Sequence, residues 1–136
     1  MMGIMDLKSG LVLALILVGA SSALAIYAWQ NWGVWWFNEA MAVERAIGFL
    51  RNSPTFRFDG IPESIRVETA ERLGPFSWRI TIAFVCRHSG YGDRTGKVLL
   101  QVLTPHRIRI EIERGAIIAA IVDETWDELA EMPIRR

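Results

Sequence analysis

Between Lys8 and Glu39 thirty consecutive positions carry no charge, and Gly10–Trp29 reads GLVLALILVGASSALAIYAW. Twenty residues at ~1.5 Å per residue cover ~30 Å, the hydrocarbon thickness of a bilayer, so this stretch predicts a transmembrane helix. Its only polar side chains, Ser21 and Ser22, can bond back to the helix backbone. A buried core helix is the competing reading, but a chain this short could hardly cover such a segment on all sides. Tyr27, Trp29, Trp32, Trp35 and Trp36 crowd its C-terminal end, where amphipathic rings favour the headgroup layer.

Beyond the apolar run, Ala40, Val43, Ile47 and Leu50 recur at helical spacing, with Glu39, Glu44, Arg45 and Arg51 on other faces. Asn38 is a candidate cap for a separate helix, and one continuous rod from Ser9 to Asn52 is the alternative. Pro54 disfavours helix at Ser53 and ends the pattern. Thr55–Ser64 then reads as a loop.

From Ile65 the period changes to two. Ile65–Arg72 is a strand with Ile65, Val67 and Thr69 on one face. Trp78–Arg87 places Ile80, Ile82, Phe84 and Cys86 together. Val98–Thr104 predicts a strand with Val98, Leu100 and Val102 inward, and Arg107–Arg114 alternates Ile108, Ile110 and Ile112 against Arg and Glu. After Gly115, Ala116–Val122 is a buried strand. Asp123 then caps a short acidic helix holding Trp126 and Leu129. The expected fold class is α+β: an N-terminal transmembrane helix, then a helix on a four- or five-stranded antiparallel β-meander with a short C-terminal helix. The expected division is an anchor with its aromatic belt over 1–37 and an extracytoplasmic domain over 38–136.

Composition narrows the chemistry. With 15 basic and 15 acidic residues there is no surplus of positive charge for nucleic acid. The single Cys86 excludes an internal disulfide and any multi-cysteine metal site. Beyond Glu39 the cations are thirteen Arg and one Lys, which suits ion-pair networks on an exposed sheet face and also follows from base-composition bias.

Processing could remove the apolar helix. Ala23-Leu24-Ala25 fits a signal-peptidase site, and Lys8-Ser9-Gly10-Leu11 partly matches the site cut before a pilin helix. A lipoprotein would need a cysteine close behind the apolar run. The reading adopted is a retained anchor in the cell membrane. The basic N-terminal flank favours a cytoplasmic N-terminus and an outside C-terminal domain.

The most distinctive segment is Arg87-His88-Ser89-Gly90-Tyr91-Gly92-Asp93-Arg94-Thr95-Gly96. Its Gly-Tyr-Gly-Asp string repeats a potassium-filter sequence without the pore that such a filter needs. A phosphatase loop needs Arg six positions after Cys86, where Gly92 stands. A phosphate loop needs a following Gly-Lys-Ser/Thr. A metal site from Cys86, His88 and His106 fails if Val98–Thr104 is a strand, because seven residues at ~3.3 Å would put the histidines ~20 Å apart. Cys86 falls on the apolar face, where a thiol is a small hydrophobe. What remains is a ten-residue hairpin loop, glycine-rich for positive φ. In it Asp93 bonds nearby amides, while Arg87 and Arg94 sit in solvent or pair with Asp93.

The expected sites are therefore no catalytic residues, no metal and no cofactor. A recognition surface over Arg87, His88, Tyr91, Asp93, Arg94 and His106 is expected, with Tyr91 and Arg94 as contact residues. The expected partners are the lipid bilayer and a protein, with no nucleic acid.

Four strings carry a resemblance. These are Ser53-Pro54-Thr55-Phe56-x-Phe58-Asp59-Gly60-Ile61, Arg87-His88-x-Gly90-Tyr91-Gly92-Asp93-Arg94-Thr95-Gly96, Gln101-Val102-x-Thr104-Pro105-His106 and Trp126-Asp127. Over residues 40–130 they resemble a group of archaeal membrane-anchored or secreted proteins of unknown function, which implies an exported domain and assigns it no activity. The helix-on-meander arrangement is also similar to cystatin-like and PepSY-type domains. That likeness implies docking to, or inhibition of, a peptidase or another envelope protein, though fold alone carries no function. The expected function is a non-catalytic, single-pass anchored interaction module or accessory subunit of an envelope complex. The alternatives are a pilin-like filament subunit and a metal-binding or enzymatic domain centred on His88–Lys97.

Overall fold

The structure is a computed structural model and describes residues 7–31 and 37–135. The chain divides into two compact units, 1–36 and 37–136.

In the first unit, helix α1 spans Leu7–Asn31, and its stretch Lys8–Gln30 is long and apolar enough to cross a membrane. Ser21 and Ser22 both donate to the Val18 carbonyl, at 2.9 and 2.6 Å, so their hydroxyls are satisfied within the helix. Tyr27 and Trp29 lie exposed near its end. Trp32, Trp35 and Trp36 lie outside the described residues.

In the second unit, α2 (Glu39–Asn52) starts at Asn38, whose side chain accepts from the Met41 amide at 3.0 Å. The stripe it buries is Ala42, Ala46 and Leu50, flanked by half-buried Val43 and Ile47, while Ala40 is exposed. Two alanines on that stripe let the helix axis approach the sheet closely. The sheet is a meander in chain order: β1 (Arg66–Gly74), β2 (Ser77–Cys86), β3 (Thr104–Glu113), β4 (Ala116–Val122), β5 (Trp126–Asp127) and β6 (Met132–Pro133). The central hairpin pairs without a break from Ser77↔Glu113 to Cys86↔Thr104. Its inner face carries Trp78, Ile80, Ile82, Phe84 and Cys86 against His106, Ile108, Ile110 and Ile112, all buried. The outer face carries ion pairs such as Arg79–Glu111 at 2.9 Å.

Five sequence expectations are corrected here. Thr55–Ser64 is not a loop: Pro54 sits at the first position of a second short helix, α3 (Pro54–Asp59), and a 3-10 turn follows over Pro62–Ser64. In β1 a bulge between Val67 and Thr69 reverses the pleat, so Thr69 is exposed and Ala70 turns inward. Val98–Thr104 is not a strand. The β2–β3 hairpin is closed at Cys86↔Thr104, so residues 98–103 have no neighbouring strand, and 87–103 form one long connection rather than a ten-residue loop. The buried strand β4 exposes Ile118, because the ladder shifts between Glu111 and Ile112. Finally, Asp123 does not cap a helix. Asp123 and Glu124 are both left-handed, at φ 50° and 59°, which turns the chain into β5 and β6.

Candidate functional site

The long β2–β3 connection divides into a clamped half and a free half. The clamp is Arg94, whose side chain is 2% exposed. Its Nη2 donates to Asp59 Oδ1 at 2.8 Å and to the Thr55 carbonyl at 2.9 Å. Its Nη1 donates to the carbonyls of Gly90, Ser89 and His88, and its Nε to that of Gly92. The guanidinium also lies 4.6 Å from the centre of the Phe58 ring. A planar fork of donors suits this task, since it can hold one carboxylate and a ring of carbonyls together. Gly92 is left-handed at φ 70°, and a Cβ there would come within 3.1 Å of the Trp126 ring, so the residue is small for two reasons.

Two further carboxylates close the same end of the sheet. Glu128, 3% exposed, accepts from the Thr55 amide and hydroxyl, each at 2.7 Å, and Thr55 Oγ1 in turn accepts from the Gly92 amide at 2.8 Å. Asp123 accepts from Tyr91 Oη at 2.9 Å and from the Arg107 amide at 2.8 Å, and meets His106 Nδ1 at 2.6 Å. Facing a carboxylate, which can only accept, Nδ1 is the donor of that contact. Nε2 is buried without a partner. Tyr91 stacks on Trp126 with the rings 5.7 Å apart.

Burial works against the charge on Asp59, yet the hydrogen bonds of His88 and the Arg94 guanidinium outweigh it and hold the carboxyl below its ordinary value. Asp123 follows the same balance. Burial opposes its charge, and His106, the Arg107 amide and Tyr91 overcome that opposition. A carboxyl with a lowered folded value lends stability above its unfolded value and loses it as pH falls toward the folded one. The ordinary value is 3.8 for both. The urea midpoint is therefore expected to be flat from about pH 7 to about pH 5 and to drop steadily below about pH 4, read by urea titration across that range. A midpoint that rises on acidification would contradict the network. The Cys86 thiol, fully buried, is pushed up to about 12, first by burial and then by Asp59. It is an inert apolar group rather than a nucleophile.

The expected recognition residues are thus drawn together, but in different roles. Arg94 is not in solvent, is not paired with Asp93 and is not a contact residue: it is the buried clamp, 35 positions from its carboxylate. Tyr91 is half-buried and committed to Asp123. Asp93 binds the Thr95 amide and hydroxyl, as its position in the loop predicts. Arg87 is exposed. The separation argument for His88 and His106 also falls, since both stand at the Cys86↔Thr104 end of the sheet. Each nevertheless faces a different carboxylate, His88 on Asp59 at 2.9 Å and His106 on Asp123. Among the described residues no three His, Cys, Asp or Glu side chains are placed to share a metal ion. Sequence reasoning missed Thr55, Asp59 and Glu128. No local signal marks them: Thr55 stands among Asn52, Ser53 and Arg57, and its burial is set by Glu128 and Gly92 far along the chain.

A groove of about 340 Å³ is lined by Arg66, Glu68, Ala83, Pro105, His106, Arg107 and Asp123. Its charges are already spent on each other, Arg107 on Glu68 and Asp123 on His106.

The free half of the connection is apolar and bare. Val98 is 103% exposed, Leu100 72% and Val102 52%, with Leu103 and Lys97 exposed beside them. This segment stands at the end of the second unit opposite to the chain's entry. Phe37 lies beside Gly115, at the other end of ten-residue strands.

No protein-family model, curated protein or solved structure matches this chain.

Proposed function

We propose that this protein is a non-catalytic, single-pass membrane-anchored module whose α+β unit stands outside the membrane and makes its working contact through residues 97–103. The observation that carries the reading is the bare apolar run of Val98, Leu100, Val102 and Leu103. An exposed cluster of this kind at a fixed place marks an interaction site, whereas single exposed apolar residues do not. The clamped half supports the same reading. Arg94, Thr55 and Glu128 hold the base of the connection rigid, so the run is presented rather than collapsed onto the core. Catalysis is disfavoured because the ionisable groups at this end, Asp59, Asp123 and Glu128, are consumed in bonds within the fold. The apolar helix α1 and the weak positive-inside bias support the anchor and its direction.

A photo-crosslinking amino acid in place of Leu100, in the full chain in its native membrane, tests the reading. Adducts with another macromolecule are expected from position 100 and not from Glu63, an exposed position elsewhere. Quenching by water alone at both positions would sink the proposal.

A further inference from the structure

We infer that the Lys97–Val98 peptide bond is a processing site for an endopeptidase that cuts after a basic residue, and that the second unit outlives the cut as two associated pieces. The inference stands apart from the proposed contact role, because it rests on the backbone of the connection and on the ladder behind it.

Cleavage of a folded chain requires the bond to leave its hydrogen-bonded setting, and the rate follows the free energy of that opening. The bonds after basic residues differ on this count. Those in α2, α3 and the strands open only with their helix or ladder. Arg114 sits in the tight β3–β4 turn, its amide tied to the Phe76 carbonyl at 2.8 Å. After Arg87 the next amide, that of His88, is held by Asp59 at 2.7 Å. Arg94 is buried, and the Thr95 amide behind it is bonded to Asp93 at 3.0 Å. At Lys97 none of this applies. Lys97 and Val98 are both exposed, and the Val98 amide makes no hydrogen bond among the described residues.

The flanks can straighten into a protease cleft. Between buried Arg94 and the start of β3 at Thr104, backbone ties are few. The Lys97 amide bonds the Arg94 carbonyl at 3.1 Å, and the Ser89 and Val102 amides bond the Leu100 carbonyl at 3.4 and 3.0 Å. Lys97, Leu100 and Val102 are exposed, so water takes over these bonds as the segment extends.

Hydrolysis adds water across the bond and leaves a carboxylate on Lys97 and an ammonium on Val98. It severs nothing that holds the unit. Every partner of the Arg94 side chain, from Thr55 and Asp59 to Gly92, precedes Lys97 and stays on the same piece. The unbroken β2–β3 ladder joins the two pieces, with Ile80, Ile82 and Phe84 from one sharing the core with Ile108 and Ile110 from the other. The bonds from Thr55 to Glu128 and from Tyr91 to Asp123 bridge them as well. The piece 98–136 then has no covalent link to α1 and is kept with it by the sheet alone.

Trypsin, acting on the full chain in detergent micelles without denaturant, is the probe of the site. The first products expected by mass are 1–97 and 98–136, eluting together on gel filtration with the near-ultraviolet circular dichroism unchanged. Lys97→Gln is expected to slow that first cut about tenfold or more, since the remaining bonds must open against a helix or a ladder. A first cut elsewhere, an unslowed Lys97→Gln, or resistance under conditions that digest the chain in urea overturns the site. Pieces that part, or a dichroism signal lost with the cut, overturn the survival of the unit. In native membranes, mass spectrometry is expected to find a piece beginning at Val98, and full-length chain alone would overturn the processing.

Discussion

Replacing Arg94 by Met is expected to destabilise the second unit by about 4 kcal/mol, the scale measured when one partner of a buried ion pair is removed. The loss has two sources. Asp59, 7% exposed at its side chain, would keep its carboxylate without its guanidinium partner, answered by His88 and Cys86. The carbonyls of Thr55, Gly90 and Gly92 would also lose their donor. Arg94→Lys is expected to recover less than half, because an ammonium can meet Asp59 but cannot fork to the carbonyl ring. Adding Asp59→Asn to Arg94→Met is expected to cost less than the sum of the two single changes, since the stranded charge is gone. Urea denaturation of the full chain in detergent, followed by near-ultraviolet circular dichroism, reads all three. A loss under about 1 kcal/mol for Arg94→Met, typical of a surface pair, would contradict the buried clamp.

Thr55→Val is expected to cost about 3 kcal/mol, although the two side chains have nearly the same shape. Thr55 is fully buried, and its hydroxyl both donates to Glu128 and accepts from Gly92. Valine leaves a carboxylate oxygen and an amide without a partner, at about 1–3 kcal/mol for each unsatisfied group. Thr55→Ser keeps both bonds and loses one methyl, so about 1 kcal/mol is expected. The same denaturation measurement compares the pair, and faster hydrogen exchange at the Gly92 amide in Thr55→Val gives an independent reading. Equal losses for Val and Ser would show that the hydroxyl does not hold the loop.

The features legible in the sequence are those set by local periodicity. The thirty-residue uncharged run reads as α1 because no other segment of the chain could hide it. The strands β2 and β3 read correctly because strict alternation leaves one register that buries Ile80, Ile82, Ile108 and Ile110 together. Asn38 reads as a cap because its side chain acts on an amide three residues away. The misreadings come where distant groups decide. Arg94 looks like any loop arginine until Asp59, 35 positions earlier, is brought under it. Thr55–Asp59 is too short to announce a helix, and it is held by Glu128, 73 positions on. Val98–Leu103 has the apolar composition of a strand, but composition says nothing of whether a neighbour exists. The acidic cluster after Val122 matches a helix start by composition, and the left-handed turn at Asp123 sends the chain elsewhere.

The order of the strands has a consequence for how the protein assembles as it is made. Each strand of the meander pairs with the one made just before it, so the sheet can grow by adding hairpins, and apart from the long 87–103 connection each closure spans little chain. The tie between Thr55 and Glu128 cannot form in that way, because its acceptor is synthesised after the last long strand. The long strands β1–β4 can thus pair before Glu128 is available to secure the connecting loop. Glu128 therefore acts as the bolt that is thrown once those strands are in place.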